Sequence, residues 1–399
     1  MIELAAGRRP QKMSVVIIGG GYAGMIAANR LTGSLTEAEA ARVQVTIVNP
    51  SDRFVHRITL HEFAGGGGDP THSFESMVGP RVRIVVGLAE RVDATRRRVR
   101  VTTAQGAAEL PYDRLIYAVG SRPATGVPGV ARFAHTIGDL HGATDIRDAL
   151  SRGATEVLVV GGGPTGIETA AELAEAYPRS NVRLLTGRFA AGMRPVARRR
   201  IARGLRRLGV EIVEGARVRR VDSRGVETET GGLLHSDVTV WAAQFDVPEL
   251  ATESRLPVDA NGRLLVDETL ACVGHPEIIG AGDAVHVPAE VGAHLGMGAR
   301  TALPLGLAAA ERVLADLRGQ VPQPISIGLL GPSISLGRKD GYIQLTHADD
   351  SPRRMAFTGR AGAAVKAWVC RMTIDRPRQE RLRPGAYGVP KGPRRGGRR

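Results

Sequence analysis

The residues best placed to do chemistry are two sets of glycines. Gly19, Gly21 and Gly24 lie in VVIIGGGYAG (15–24), and Gly161, Gly163 and Gly166 in VLVVGGGPTG (157–166). Each set has the spacing G-x-G-x-x-G, follows an aliphatic run and opens a helix-like segment. In such a turn the first glycine permits a tight bend and the second lets backbone approach a pyrophosphate. The third lets the helix pack on its strand. The phosphates then meet free N–H groups at the positive end of a helix. One match means little in a chain with 51 glycines, whereas two in strand–turn–helix context imply two dinucleotides in one protein. Electron transfer between those ligands is the first function to consider.

The neighbouring residues refine this expectation. A ribose partner is expected at the end of the second strand, VQVTIVN, where Asn49 stands. Asp52, three residues on, either shares that role or is a surface turn residue. After the second fingerprint the matching place reads Thr186–Gly187–Arg188, with no acid. An acid there would repel a 2′-phosphate and an arginine would pair with it, so NADPH is as plausible as NADH. The alternative is that Arg188 is simply solvent-exposed. Glu168, two residues past Gly166, either complements the dipole of its helix or lies beside a nicotinamide.

These motifs need elements to hold them. Strands are expected at 14–19, 43–49, 112–121, 181–187 and 238–243, with a second βαβ unit beginning at 157–175, a strand-to-helix junction at 277–285, helices at 22–31, 196–208, 298–317 and 361–374, and a hairpin at 334–345. Their order gives an α/β fold with a nested layout. The first nucleotide domain is built from 1–118 and 268–320, with a second, 119–267, inserted between them. A small α+β domain at 321–375 follows, then a basic flexible tail at 376–399. The chain has 399 residues and 43% hydrophobic content, enough for two or three proper cores. The net charge is +14, and more than half of it falls after residue 370. A tail of that kind is a solvated end or a contact for anionic lipid; its lack of interleaved aromatics argues against specific nucleic-acid reading. Cys272 and Cys370 are too far apart in sequence for a redox pair motif and no metal-ligand cluster is visible, so both read as reduced core thiols. No apolar run is long enough to span a membrane, and the expected location is cytoplasmic, with peripheral membrane contact through the basic C-terminus as an option.

The combination of VVIIGGGYAG, YDRLIYAVGS (112–121), VLVVGGGPTGIETAAELAE (157–175), WAAQF (241–245) and EIIGAGDAV (277–285) resembles the two-dinucleotide flavoprotein oxidoreductases. The resemblance is strongest to the branch around type II NADH dehydrogenases and apoptosis-inducing-factor-like enzymes, and it spans residues 14–320. It implies two Rossmann-like domains, the first holding FAD and the second NAD(P)H. By resemblance, Asp283 contacts the flavin ribitol and pyrophosphate region, Ala118 and Gly120 border the flavin on the crossover strand, and Glu168 lies near nicotinamide and flavin. The segment 52–66 resembles the loop beside the isoalloxazine, with Arg57 and His61 as its ring-side residues. The chain departs from the family in three places. The redox disulfide of the glutathione-reductase-like enzymes is missing, which excludes dithiol chemistry. The quinone signature A-Q-x-x-x-Q is replaced by MGARTALPLG (297–306), with Arg300 and Pro304 where the glutamines would stand. Gln244 stands where a glycine is expected. The expected activity is hydride transfer from NAD(P)H to flavin and onward electron transfer to a quinone-like or other small acceptor. A tailoring oxidoreductase and a slow redox sensor are the alternatives.

Overall fold

The computed structural model describes residues 12–393. Two parallel sheets organise the chain. The first uses β1 (Met13–Ile18), β2 (Val43–Asn49), β3 (Val82–Val86), β4 (Arg114–Tyr117) and a late strand, His275–Gly280. Their order is His275–Gly280, β4, β1, β2, β3, with the short antiparallel strand Ala271–Cys272 at the edge. Central runs such as Val15, Val16 and Ile17 are fully buried because helices cover both faces of a parallel sheet. Helix α1 (Tyr22–Ser34) lies on one face.

The second sheet lies in sequence between β4 and the returning strand. After α2 (Leu60–Ala64) and α3 (Leu140–Ser151) come β5 (Glu156–Val160), α4 (Pro164–Ala176), β6 (Asn181–Thr186), α5 (Pro195–Arg207), β7 (Glu211–Glu214) and β8 (Val238–Trp241). The order is His135–Thr136, β8, β5, β6, β7, all parallel. Leu60, Phe63 and Ala64 of α2 pack into the core of this second sheet although they precede it by about a hundred residues. That contact holds the loop carrying Arg57 and His61 against the second unit.

The late strand is β9 (His275–Gly280), and it leads to α6 (Ala299–Leu317). A three-stranded antiparallel sheet follows: β10 (Ser333–Ser335), β11 (Gly341–Thr346) and β12 (Pro352–Thr358). The last helix, α7 (Gly359–Glu380), packs on β11 and on α1. Gln244, where the family likeness leads one to expect glycine, has a left-handed backbone with φ +57.

The C-terminal segment differs from its expectation. Residues 376–393 are not a flexible tail. Glu380 is fully buried and accepts from Arg30 Nε at 2.7 Å and Nη2 at 3.2 Å, from Gly385 N at 3.0 Å and from Tyr387 N. Asn29 Nδ2 donates to Pro377 O at 2.8 Å, and Gly328 N to Pro390 O at 2.7 Å. The physical reason is that one buried acid gathers an arginine and two amides, which outweighs the solvation of the nearby arginines. Residues 394–399 of the expected tail lie outside the described residues. Removing Glu380 leaves Arg30 only the more exposed Glu311, at 2.7 Å, and strips two amides of their acceptor, so Glu380→Ala is expected to lower unfolding free energy by about 3 kcal/mol, the low end for a broken buried pair. A urea titration would read this as an earlier midpoint at unchanged slope.

Candidate functional site

The two glycine turns are built alike. Gly19 has φ +99, and a Cβ there would lie 2.2 Å from Ala118 O; a Cβ on Gly24 would lie 1.8 Å from Gly19 O. Gly161 has φ +130 with Ala242 O at 2.6 Å, and Gly166 would meet Gly161 O at 1.8 Å. These four positions admit only glycine. The middle glycines differ: a Cβ on Gly21 or Gly163 would meet nothing within 4 Å. Both are N-caps, of α1 and α4, with no side-chain cap and no acid in the first turn. Each turn therefore offers open space against free N–H groups and a positive helix end, the cradle a pyrophosphate needs. The residues present fit two dinucleotides.

Around the first turn the polar groups form a chain. Asn49 Oδ1 accepts from Gly20 N at 2.9 Å, so this side chain braces the turn as well as ending β2. Asp52 is exposed. Arg57 donates through Nε to Gly138 O at 2.9 Å and through Nη1 to Ser121 O at 2.8 Å. Ser121 Oγ donates to Asp283 Oδ2 at 2.8 Å, and the other oxygen, Oδ1, accepts from Gly298 N at 2.7 Å. Ala118 is buried and Gly120, at φ +71, faces open space. The sequence-assigned residues Arg57, Ala118, Gly120 and Asp283 thus converge, with the start of α6 beside them. Next to Asp283 is a cavity of about 210 Å³, lined among others by Gly282, Met297 and Thr301. Thr301 Oγ1 is buried there without a hydrogen-bond partner.

Glu168 is the fifth residue of α4, beyond its first turn, so it does not serve the helix dipole. Its carboxylate is buried and lies 2.7 Å from Lys366 Nζ of α7, and it accepts from Ser335 N at 2.8 Å. Burial opposes the charge on Lys366, but Glu168, with Cys370 and Glu62 behind it, holds the lysine above its ordinary pKa. His61 faces the same cluster; burial pushes it down to about 4, so it is neutral at pH 7, and its Nε2 has no hydrogen-bond partner. Burial likewise raises the Cys370 thiol to about 11, one turn past Lys366. Sequence reading missed Lys366. Its signal was there: a lone lysine in AGAAVKAWVC, in a chain whose basic residues are almost all arginine.

Arg188 sits just after β6, exposed, with no partner for its guanidinium among the described residues. The nearest acid along the sheet, Glu214, is already engaged by Phe189 N at 2.9 Å and Arg198 Nη2 at 2.8 Å.

Comparison with known proteins agrees with this geometry. The profile of the pyridine nucleotide-disulphide oxidoreductase family matches residues 13–301. An NADH dehydrogenase-like protein of Mycobacterium tuberculosis is 31% identical over 330 residues, covering 77% of this chain and 81% of that protein. The type II NADH:quinone oxidoreductase NdhA of the same organism is 27% identical over 335 residues, covering 72% and 70%. The structure of NDH2 from Plasmodium falciparum in complex with NADH shares the fold, with a TM-score of 0.78 at 16% identity, covering 95% of this chain and 99% of that one. With two pyrophosphate cradles in its backbone, this chain belongs to the pyridine nucleotide-disulphide oxidoreductase family and is an FAD-dependent oxidoreductase of NAD(P)H.

Proposed function

We propose that this enzyme passes electrons from NAD(P)H to a quinone-like small acceptor. The unit of 1–118 and 268–320 holds FAD, and the unit of 119–267 holds the nicotinamide. The observation that carries this reading is the buried Glu168–Lys366 pair, at the seam of the nicotinamide unit, the 52–66 loop and the C-terminal helix. The name of one relative, a quinone oxidoreductase, favours the acceptor class.

Bound FAD supplies the hydride acceptor and electron store. The chain's residues position it. Gly19, Gly21 and Gly24 seat its pyrophosphate, Asn49 braces that turn, and Asp283 meets the ribitol. Arg57 ties the crossover at Ser121 to Gly138. Gly161, Gly163 and Gly166 seat the nicotinamide nucleotide, and Arg188 faces its ribose. Glu168 orients the reacting end, with Lys366 holding its carboxylate in place. Quinone reduction also consumes protons, and the buried Glu168–Lys366 pair carries one.

Membrane contact has a candidate surface other than the tail. Every residue of β12 is exposed, including Met355 and Phe357, and Trp368 of α7 is exposed nearby. Arg353 and Arg354 flank them. Apolar and aromatic side chains beside arginines suit the interface of an anionic bilayer. No helix among the described residues is long and apolar enough to cross a membrane.

Three outcomes are expected. Purified protein is yellow, and its blue absorbance bleaches when NADH or NADPH is added without oxygen; colourless protein that takes up no FAD overturns the reading. Arg188→Ala raises the Kd for NADPH by about tenfold, the scale of one charged hydrogen bond, with a smaller change for NADH, as read by titration calorimetry. Lys366→Met lowers both stability and quinone turnover, because it strands a buried carboxylate. The double variant Glu168→Leu with Lys366→Met recovers stability but not turnover; recovery of both would assign the pair to packing alone.

A further inference from the structure

Helix α5 carries six arginines in 13 residues and no acid. Its inner face does the packing. Ala197, Ile201 and Leu205 are buried, and a Cβ on Gly204 would lie 2.8 Å from Leu336 of the C-terminal unit. Two of the arginines are paired: Arg198 Nη2 donates to Glu214 Oε1 at 2.8 Å, and Arg200 Nη2 to the two oxygens of Asp340 at 2.7 and 2.8 Å. The other four, Arg199, Arg203, Arg206 and Arg207, are exposed and have no acidic partner among the described residues. They stand three and four residues apart, so like charges face one another along the helix. Arginines on the exposed strands at 88–111 are instead matched by acids, as in Arg98–Glu109 at 3.3 Å and Arg100–Glu90 at 3.5 Å.

These side chains border a groove of about 600 Å³, lined by Arg198, Arg199, Arg203, Arg206 and Arg207. Phe189 and Pro195 stand where it begins, and Arg207 lies about 18 Å further along the helix. The one acid in the lining, Glu214, has its Oε1 taken by Phe189 N at 2.9 Å and by Arg198. Arg198 Nε is buried with no hydrogen-bond partner, a donor left without an acceptor. Neither glycine turn nor Arg188 borders the groove, so it is separate from the two pyrophosphate cradles.

We propose that this groove binds a small anion carrying two or more phosphates. Each guanidinium is a flat fork of donors matched to phosphate oxygens, and each phosphate brings three acceptors and up to two charges. A single phosphate engages one or two forks and leaves the others repelling; linked phosphates meet them in turn. The volume is that of a small-molecule site, and so few of its walls are apolar that recognition is by charge. Free oligophosphates and lipid headgroups with several phosphates share this chemistry. The site goes beyond the oxidoreductase reading and does not depend on it.

The test uses full-length protein loaded with FAD, with the nicotinamide seat filled by NAD⁺ or by NADP⁺ so that both cradles are occupied. Inorganic triphosphate is titrated by calorimetry into native protein, into Arg203→Gln with Arg207→Gln, and into Arg81→Gln with Arg83→Gln. Glutamine keeps the helix propensity of α5, and the second pair removes the same charge from exposed positions at β3. The groove variant is expected to bind about a hundredfold more weakly, tenfold for each charged contact, and the β3 variant as native protein does. A second arm floats the same proteins with phosphatidylcholine vesicles, plain or carrying a bisphosphorylated inositol lipid. Binding in either arm that falls in the groove variant alone supports the site, and the arm identifies the source. Binding in neither arm overturns it, as does binding that survives the groove variant, falls equally in both variants, or is matched by citrate. Loss of binding when NADP⁺ replaces NAD⁺ also overturns it, by assigning the groove to the coenzyme's 2′-phosphate.

Discussion

The acidic face of α4 is the constraint around which the molecule closes. Glu168, Glu172 and Glu175 follow one another at helical spacing and all meet the C-terminal unit, Glu168 its helix and sheet, Glu172 and Glu175 the turn at Arg338. Glu168 binds Lys366 and Ser335 N, Glu172 binds Arg338, and Glu175 Oε2 accepts from Arg338 N at 2.6 Å. Burying such carboxylates is costly unless each is matched. The C-terminal unit supplies that match, and in doing so lays α7 across the seam beside His61. The distant end of the chain thus completes the polar cluster that the second fingerprint begins.

Backbone geometry sets the other half of the site. The outer glycines of each fingerprint are pressed against carbonyls so closely that a single methyl would collide, while the middle glycine is bare. The same sequence pattern therefore encodes contact at two points and emptiness at the third. Open space at the positive end of a helix suits a pyrophosphate with few side chains needed. Asn49 illustrates the economy: it orders the turn through a single amide hydrogen bond.

Much of this was legible in the sequence. The parallel strands, the returning strand β9 just before Asp283 and the β10–β11 hairpin all follow from aliphatic runs broken by glycine. Family likeness puts Arg57 beside the flavin ring and Asp283 at the ribitol; the link between them through Ser121 was not legible, because that residue gave no sign of its own. Lys366 escaped notice because an apolar helix with one lysine has the pattern of a surface helix until its partner is known. The tail was misjudged for a related reason. Charge counting treats arginines as solvated, whereas Glu380, a lone acid among them, is the anchor that folds the segment back. Pairings across 350 residues leave no local periodicity to read.

That anchor also bears on synthesis. Arg30 of α1 and its buried counter-charge, Glu380, stand 350 residues apart. The flank of α1 can therefore reach its final packing only once residue 380 has been synthesised. A prematurely terminated product would leave α1 with an unfinished flank, exposed to proteolytic clearance before any coenzyme is committed to it.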